Sequence, residues 1–289
     1  MIFLLIVSLI WAFSFGLIKD NLTGLDSNFV SFARLFLSLV IFLPLLKFKK
    51  LNGILTLKLI LAGAIQYGLM YIAYIYSFQF LKAYEVALFT VFTPLYVTVI
   101  HNIIKRRFHV MFFITALIAI FGTWIIKYED FSQSNLLLGF LIVQVSNIGF
   151  AFGQVYYKEI MRNYPDTKDQ DVFGILYLGG VALTALSTSV FTQWTGFQIS
   201  SNQILILIYL GVIASGVAFF LWNYGARRVN IGALAIFNNL KVPLAIFVSL
   251  VFFGETTNIS NLLIGGLIVL FALVINEIYV HRYQQDVEM

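Results

Sequence analysis

A lysine and two asparagines interrupt a long apolar stretch near the end of the sequence, in the segment IFNNLKVPLAIF. Lys241 lies about eleven residues from either end of that stretch, and eleven helical residues rise about 16 Å, farther than a lysine side chain reaches. A charge at that depth in a bilayer costs about 2.5–3.5 kcal/mol unless it meets water or an anion. Asn238 shares its helical face, and Pro243 leaves the carbonyl of Asn239 without its usual donor. These residues predict an anion-binding site, although a lysine that only joins helices stays open.

Three amides, Gln144, Asn147 and Gln154, share one helical face of another apolar run. Asn147 falls near the middle of that run, where contact with lipid would leave its amide without hydrogen-bond partners. The face is therefore expected to point inward, either to bind a ligand or to join helices. Ser14 lies on the corresponding face of the first apolar run, which is much less polar. We take Gln144, Asn147 and Ser14 as candidate substrate-binding residues.

Aromatic residues form a second pattern. Tyr71 and Tyr74 belong to a row of tyrosines at helical spacing, and Phe219 and Trp222 occupy the corresponding places in the second half of the sequence. Facing aromatic walls would suit a flat or apolar substrate body, and tyrosine hydroxyls would orient it. Ordinary packing of aromatic side chains is the open alternative. Tyr71, Tyr74 and Trp222 complete the candidate set with Lys241, Asn238 and Asn239.

The remaining polar residues give little sign of catalysis. Arg34 lies about six residues inside the second apolar run, and we expect it to be structural, reaching outward or pairing with Asp26 or Glu85. No carboxylate is expected at mid-span. The three histidines lie at the ends of apolar runs without metal-ligand spacing, and the chain has no cysteine. We therefore predict no enzyme activity, no metal site and no cofactor.

The elements that carry these residues are long and apolar. The 289 residues are 61% hydrophobic and 11% charged, with a mean hydropathy of +0.93, whereas soluble domains are about one quarter charged. Apolar runs of about 18 residues or more span a bilayer as helices, so the composition predicts an all-α integral membrane protein in contact with lipid. We predict ten transmembrane helices, over residues 2–18, 28–46, 58–81, 84–104, 110–127, 136–160, 171–192, 203–225, 230–252 and 259–280.

The two halves of the sequence resemble each other in register. FLLIVSLIWAFSFG (Phe3–Gly16) matches FLIVQVSNIGFAFG (Phe140–Gly153), GLMYIAYIY (Gly68–Tyr76) matches GVAFFLWNY (Gly216–Tyr224), and Pro94 matches Pro243. Each half, 1–130 and 131–289, would hold five helices. Because five is odd, the second half would enter the membrane in the opposite orientation, as in many secondary transporters. The sequence thus predicts two inverted five-helix repeats.

The positions of the basic residues predict the orientation of the chain. On the side of both termini the predicted loops and the C-terminus carry Lys47, Lys49, Lys50, Lys58, Lys105, Arg106, Arg107, Lys158, Arg162, Lys168, Arg227, Arg228 and Arg282. The other side carries only Lys19, Lys82 and Lys127. Since cytoplasmic loops are enriched in lysine and arginine, both termini are expected in the cytoplasm. Basic residues in such short loops do not indicate a nucleic-acid partner, despite the net charge of +5.

Several segments resemble one family of carriers. NIGALAIFNNLKVPLAIFVSLVFFGE (Asn230–Glu255) resembles the ninth helix of EamA-type carriers of the drug/metabolite transporter superfamily, with small residues, a proline, an apolar run and Gly-Glu. LIWAFSFGLIK and FVSFARLFLSL resemble the first and second helices of that family, and the resemblance extends over essentially the whole chain. It implies alternating access around a central cavity. Many members have an acidic or neutral residue where this chain has Lys241, which disfavours a cationic substrate.

We predict a secondary carrier of a small metabolite in a bacterial inner (plasma) membrane. Its substrate is expected to be an amino acid or organic acid whose carboxylate binds Lys241. An exporter of cationic or neutral amphipathic compounds, with Lys241 uncharged, is one alternative, and a non-transporting membrane scaffold or sensor is another. The sequence leaves open the direction of transport, the coupling ion and the oligomeric state, a homodimer included.

Overall fold

Every regular element in the described part of the chain is a helix, as the sequence predicts. The computed structural model describes residues 2–47, 51–104, 114–115, 117–118, 121–122, 125, 134–229 and 231–288. The long helices are α1 (Ile2–Leu22), α2 (Ser27–Leu45), α3 (Gly53–Ser77), α4 (Ala83–Ile104), α5 (Ser134–Arg162), α6 (Asp169–Phe191), α7 (Ser201–Ala226), α8 (Ile231–Phe252) and α9 (Ile259–Glu288).

Seven of these helices, α1 to α7, are long and apolar enough to cross a membrane. Within α8 and α9 the apolar segments are shorter, Leu240–Phe252 and Ile259–Ala272. Within the predicted helix over 110–127 the structure describes residues 114–115, 117–118, 121–122 and 125, which are helical. Large apolar side chains such as Leu61, Leu141 and Phe191 cover the outward faces. A surface of this kind requires lipid around it, so the chain is an integral membrane protein.

The predicted start of the third helix was wrong, because a capping residue was overlooked. The prediction began this helix at residue 58, but α3 begins at Gly53. The Asn52 side chain accepts a hydrogen bond from the Leu55 amide at 2.7 Å, which satisfies one of the free donors of the first turn. The Asp26 carboxylate caps α2 in the same way, through the amides of Asn28 and Phe29 at 3.0 Å.

Three helices contain a π-helical segment, at Ile18–Leu22 in α1, Ala64–Leu69 in α3 and Leu210–Val217 in α7. Each such segment leaves one carbonyl without its usual amide and turns the following residues around the helix axis. In α7 the Ser215 hydroxyl donates to the Leu210 carbonyl, five residues earlier, at 2.7 Å. The π segment thereby places Ser215 toward the centre of the bundle.

The helices cross closely, and these crossings determine which side chains meet at the centre of the bundle. α1 packs against α7 and α8, α5 packs against α3 and α4, and α2 and α6 contact each other and the helices between them. At the crossing of α3 and α6, a Cβ on Gly63 would lie 1.8 Å from the Leu176 carbonyl oxygen, and one on Gly179 would lie 2.1 Å from that of Ile60. Only glycine allows these backbones to approach so closely.

Candidate functional site

A cavity, partly open at its mouth, lies between the helices at the centre of the bundle. Seven helices contribute to its wall: α1 to α5, α7 and α8. The lining residues are Trp11, Ser14, Phe15, Arg34, Met70, Tyr71, Tyr74, Thr90, Ser146, Asn147, Phe150, Phe219 and Lys241.

Lys241 reaches this cavity from the middle of α8 and is only 5% exposed. Its Nζ lies 5.2 Å from the centre of the Trp11 ring and 5.0 Å from that of Phe150. No hydrogen bond or ion pair joins it to any other described residue. Cation–π contacts contribute about 0.5–2 kcal/mol, less than the cost of placing an ammonium at the centre of a membrane. The Lys241 ammonium therefore has donors to offer a ligand.

Arg34 is the second cation on the cavity wall and is 2% exposed. Its Nε donates to the Ser215 hydroxyl at 3.1 Å, and its Nη2 donates to the Tyr71 hydroxyl at 3.0 Å. Its Nη1 has no hydrogen-bond partner among the described residues. The expectation that Arg34 reaches outward or pairs with Asp26 or Glu85 was wrong, because its guanidinium lies in the cavity wall and bonds to Ser215 and Tyr71.

Asn147 lies on the cavity wall with its amide held by neighbours from two helices. Its Nδ2 donates to the Phe89 carbonyl at 2.8 Å and to Gln144 Oε1 at 3.0 Å, and its Oδ1 accepts from Thr93 at 3.2 Å. Gln144 lies behind the wall, where it also accepts from Tyr96 at 3.2 Å. Gln144 thus fixes the amide of Asn147, and Asn147 Oδ1 keeps a lone pair for a donor in the cavity.

Three hydroxyl residues of the candidate set, Ser14, Tyr71 and Tyr74, line the cavity. The Ser14 hydroxyl donates to the Ile10 carbonyl at 3.0 Å, which leaves it free only to accept. No described residue forms a hydrogen bond with the hydroxyl of Tyr74 or with that of Ser146, which also lines the cavity. Since buried polar groups are usually paired, these two hydroxyls are available to a ligand.

Aromatic rings form most of the apolar wall. Trp11 contacts Phe219 with ring centres 4.8 Å apart, and Phe150 contacts Phe219 at 5.8 Å. Trp222 is fully buried behind them, 4.9 Å from Trp11, and its indole nitrogen donates to Gln154 at 3.2 Å. Trp222 therefore supports the wall without belonging to it.

Of the two asparagines predicted for the site in α8, Asn238 lies away from the cavity surface, and the side chain of Asn239 is outside the described part of the structure. Asn238 is fully buried, and its Nδ2 donates to Gln154 Oε1 at 3.2 Å and to the Leu234 carbonyl at 3.0 Å. The backbone of Asn239 is helical, and its side chain lies outside the described part of the structure.

Phe219, which the sequence placed in an aromatic wall, lines the cavity. Sequence reasoning did not select the other lining residues Trp11, Phe15, Arg34, Met70, Thr90, Ser146 and Phe150. Phe150 could have been found from Asn147, because it lies one turn after it on the same face of α5. Trp11 and Met70 carry no such signal in an apolar chain. Arg34 was judged by its depth alone, which says nothing about the direction of its side chain.

The charge of the cavity wall is positive. It contains Arg34 and Lys241 and no carboxylate among its described lining residues. Carboxylates near the ends of the helices have partners of their own. Asp169 pairs with Arg227 at 2.6 Å, and Glu255 accepts from the backbone amide of Ala83 at 2.7 Å. The described residues contain no group of three or more histidine, aspartate or glutamate side chains that could hold a metal ion.

Comparison with known proteins identifies relatives along nearly the entire chain. The model of the EamA-like transporter family matches residues 1–128 and 137–277. The chain is 36% identical to a protein named biotin transporter from Salmonella typhimurium, over 285 residues that are 98% of this chain and 93% of that protein. It is 34% identical to a probable biotin transporter from Pseudomonas aeruginosa, over 96% of this chain and 97% of that protein.

A solved structure titled only as the crystal structure of a protein has the same fold. Its TM-score against this chain is 0.67, with 95% of each chain covered and 16% sequence identity. At that level of identity the likeness concerns the arrangement of the helices and not the ligand.

Proposed function

Because the chain belongs to the EamA-like transporter family, and is therefore a membrane transporter of a small metabolite and not an enzyme, we propose that its substrate is biotin. The observation that carries this proposal is the similarity, over nearly the full length of each chain, to proteins named biotin transporters. The first of these relatives is bacterial, as is the second, which supports a place in a bacterial inner membrane.

The chemistry of the cavity supports biotin over an amino acid. Biotin is a monocarboxylate with an apolar chain and a compact ring system that ends in a ureido group. An amino acid would bring an ammonium group into a cavity that already holds Arg34 and Lys241 and has no carboxylate among its described lining residues. Like charges in a low-dielectric site repel strongly. The same argument disfavours the cationic amphipathic substrate that the sequence left open.

Lys241 is the proposed partner of the biotin carboxylate. Its ammonium contacts only aromatic rings among the described residues, at 5.0 and 5.2 Å from the ring centres. An anion would replace the water that the ammonium loses on burial and would form charge-assisted hydrogen bonds with it. The apolar part of biotin would then lie against Trp11, Phe150 and Phe219.

The other candidate residues take two roles in this proposal. Asn147, Tyr74 and Ser14 contact the substrate from the cavity wall, where Asn147 Oδ1 and Ser14 Oγ can accept hydrogen bonds. Tyr71, on the same wall, holds the guanidinium of Arg34. Gln144, Asn238 and Trp222 hold the wall in place from behind. Asn239 stays a predicted site residue without a described side chain.

We also propose the ten-helix architecture of two inverted repeats, residues 1–130 and 131–289. The helix contacts support it, since they recur when the halves are exchanged: α1 packs on α8 as α5 packs on α4, and α2 packs on α7 as α6 packs on α3. The π segments Ala64–Leu69 and Leu210–Val217 fall in helices that the repeat pairs with each other. Such a pair of repeats can open a central cavity alternately to each side.

Growth of cells provides the test of the substrate. The chain is expressed in a bacterial strain that can neither make nor import biotin, and growth is followed over a range of external biotin concentrations. The proposal predicts growth at concentrations that do not support the parent strain. Equal biotin requirements of the two strains, with the protein present in the membrane, would reject biotin as the substrate.

A further inference from the structure

The proposed carboxylate contact uses only one of the two cations among the described residues that line the cavity. Arg34 remains, with an Nη1 that is buried and has no hydrogen-bond partner among the described residues. A buried guanidinium donor without a partner is costly to the protein. The ligand of the cavity is the group best placed to satisfy it.

The hydrogen bonds around Arg34 determine which chemistry it can accept. Ser215 donates its only hydroxyl proton to the Leu210 carbonyl at 2.7 Å, so it accepts from Arg34 Nε and also from the Tyr71 hydroxyl, 2.7 Å away. Tyr71 in turn accepts from Arg34 Nη2 at 3.0 Å. Both hydroxyl protons are therefore used, and the Arg34, Tyr71 and Ser215 cluster presents only guanidinium N–H donors.

Arg34 is the better partner for the neutral end of a ligand, because two of its nitrogens already bond to neutral hydroxyls, whereas Lys241 has no such bond to a described residue. A carboxylate binds arginine best through two parallel hydrogen bonds along one edge of the guanidinium. The edge formed by Nε and Nη2 is already bonded to Ser215 and Tyr71. The two N–H groups of Nη1 and the second N–H of Nη2 remain, and these can converge on one carbonyl oxygen. Lys241, by contrast, has no hydrogen bond to a described residue and keeps its full charge for an anion.

A continuous row of rings connects the two cations. The Arg34 guanidinium lies 4.7 Å from the Tyr71 ring, Tyr71 contacts Phe219 at 5.8 Å, and Phe219 contacts Trp11 at 4.8 Å. Lys241 lies against Trp11 at the end of this row. The row thus offers an apolar wall with one cationic donor at each end.

We propose that Arg34 donates from Nη1 to the ureido carbonyl oxygen of biotin, while Lys241 binds the carboxylate. This inference rests on the proposed function and adds the orientation of the substrate and a second specificity-determining residue. Biotin matches the wall because its two polar ends are both hydrogen-bond acceptors and an apolar chain and ring lie between them. Tyr71 and Ser215 are positioning residues in this arrangement, since they hold the guanidinium.

The test uses two analogues that each alter one end of the substrate. Biotinamide removes the negative charge, and 2-thiobiotin replaces the ureido oxygen with sulfur, a weaker acceptor. Each is measured as a competitor of labelled biotin uptake in proteoliposomes with the wild-type chain, Arg34→Gln and Lys241→Met. Arg162→Gln serves as the matched control, because this side chain is 60% exposed and pairs only with Glu159 among the described residues.

We expect the wild-type chain to bind each analogue about tenfold or more weakly than biotin, as for loss of a charge-assisted hydrogen bond. Arg34→Gln should lose the preference for biotin over 2-thiobiotin and keep the preference over biotinamide. Lys241→Met should lose the preference for biotin over biotinamide and keep the preference over 2-thiobiotin. Tyr71→Phe keeps the charge of Arg34 but removes the hydroxyl that holds its guanidinium. This variant should show a smaller preference for biotin over 2-thiobiotin and an unchanged preference for biotin over biotinamide.

Two results would overturn the proposal. If Arg34→Gln abolishes the preference over biotinamide, Arg34 binds the carboxylate; if it changes neither ratio, Arg34 does not contact the substrate. The ratio of the wild-type affinities for biotin and 2-thiobiotin is a check that involves no variant and so does not depend on a variant's folding. Equal affinities would exclude the ureido contact. Absence of biotin uptake by the wild-type chain would instead reject the proposed function, and this inference with it.

Discussion

Replacing Lys241 by methionine separates a binding lysine from a structural one. Methionine keeps most of the length of the side chain and removes the charge. The Lys241 ammonium costs about 2.5–3.5 kcal/mol at the centre of a bilayer, and its contacts with Trp11 and Phe150 return about 0.5–2 kcal/mol. Without substrate, Lys241→Met should therefore stabilise the protein by about 0.5–3 kcal/mol, which raises the melting temperature by roughly 1–12 °C.

The same change should remove most of the affinity for biotin. Loss of one partner from a buried charge pair costs about 2–4 kcal/mol, or roughly 30- to 1,000-fold in apparent affinity. The melting temperature is measured in detergent, and the affinity is measured by uptake of labelled biotin into proteoliposomes. Lys241→Arg, which keeps the charge, should retain more uptake than Lys241→Met.

A gain in stability together with a loss of uptake is the signature of a binding residue. A lysine that only joins helices predicts the opposite, a lower melting temperature with uptake reduced in proportion to folded protein. Wild-type affinity for biotin in Lys241→Met would refute the carboxylate contact. A lower melting temperature would refute the argument that the ammonium is unpaired in the absence of substrate.

Three further predictions follow from packing and charge. Gly179→Leu should prevent folding, because its Cβ would lie 2.1 Å from the Ile60 carbonyl oxygen; normal yield of a monodisperse protein in detergent would contradict this. Glu255→Ala should destabilise the protein by about 1–3 kcal/mol, since its carboxylate accepts from the backbone amide of Ala83 at 2.7 Å, and thermal melting against Glu255→Gln measures the loss. A tag inserted at Lys168 and one at the C-terminus should both be accessible only from the cytoplasm, and external labelling of either would reverse the proposed orientation.

Much of the fold could be predicted from the sequence, because a membrane limits the choices. The apolar runs that became α1 to α7 are long enough to leave few alternatives to a spanning helix. Boundaries were less predictable. The early start of α3 depends on the Asn52 side chain, whose capping role requires a particular local backbone. The π segments have no comparable signal in the sequence.

The site was predictable where a residue type conflicts with its surroundings. Lys241 and Asn147 are expensive to expose to lipid, so their inward direction could be inferred, and both line the cavity. Arg34 was missed because it lies close enough to a helix end to reach water. Its direction depends on Tyr71 and Ser215, which lie far away in the sequence and meet it only in the folded bundle.

Uptake by the purified protein tests the central claim most directly. The chain is reconstituted into liposomes, and entry of labelled biotin is compared with entry of labelled amino acids and other organic carboxylates. The proposal predicts saturable uptake of labelled biotin. Unlabelled biotin should inhibit this uptake strongly, and biotinamide should inhibit it only weakly. Saturable uptake of another compound, with no uptake of biotin above that of empty liposomes, would contradict it.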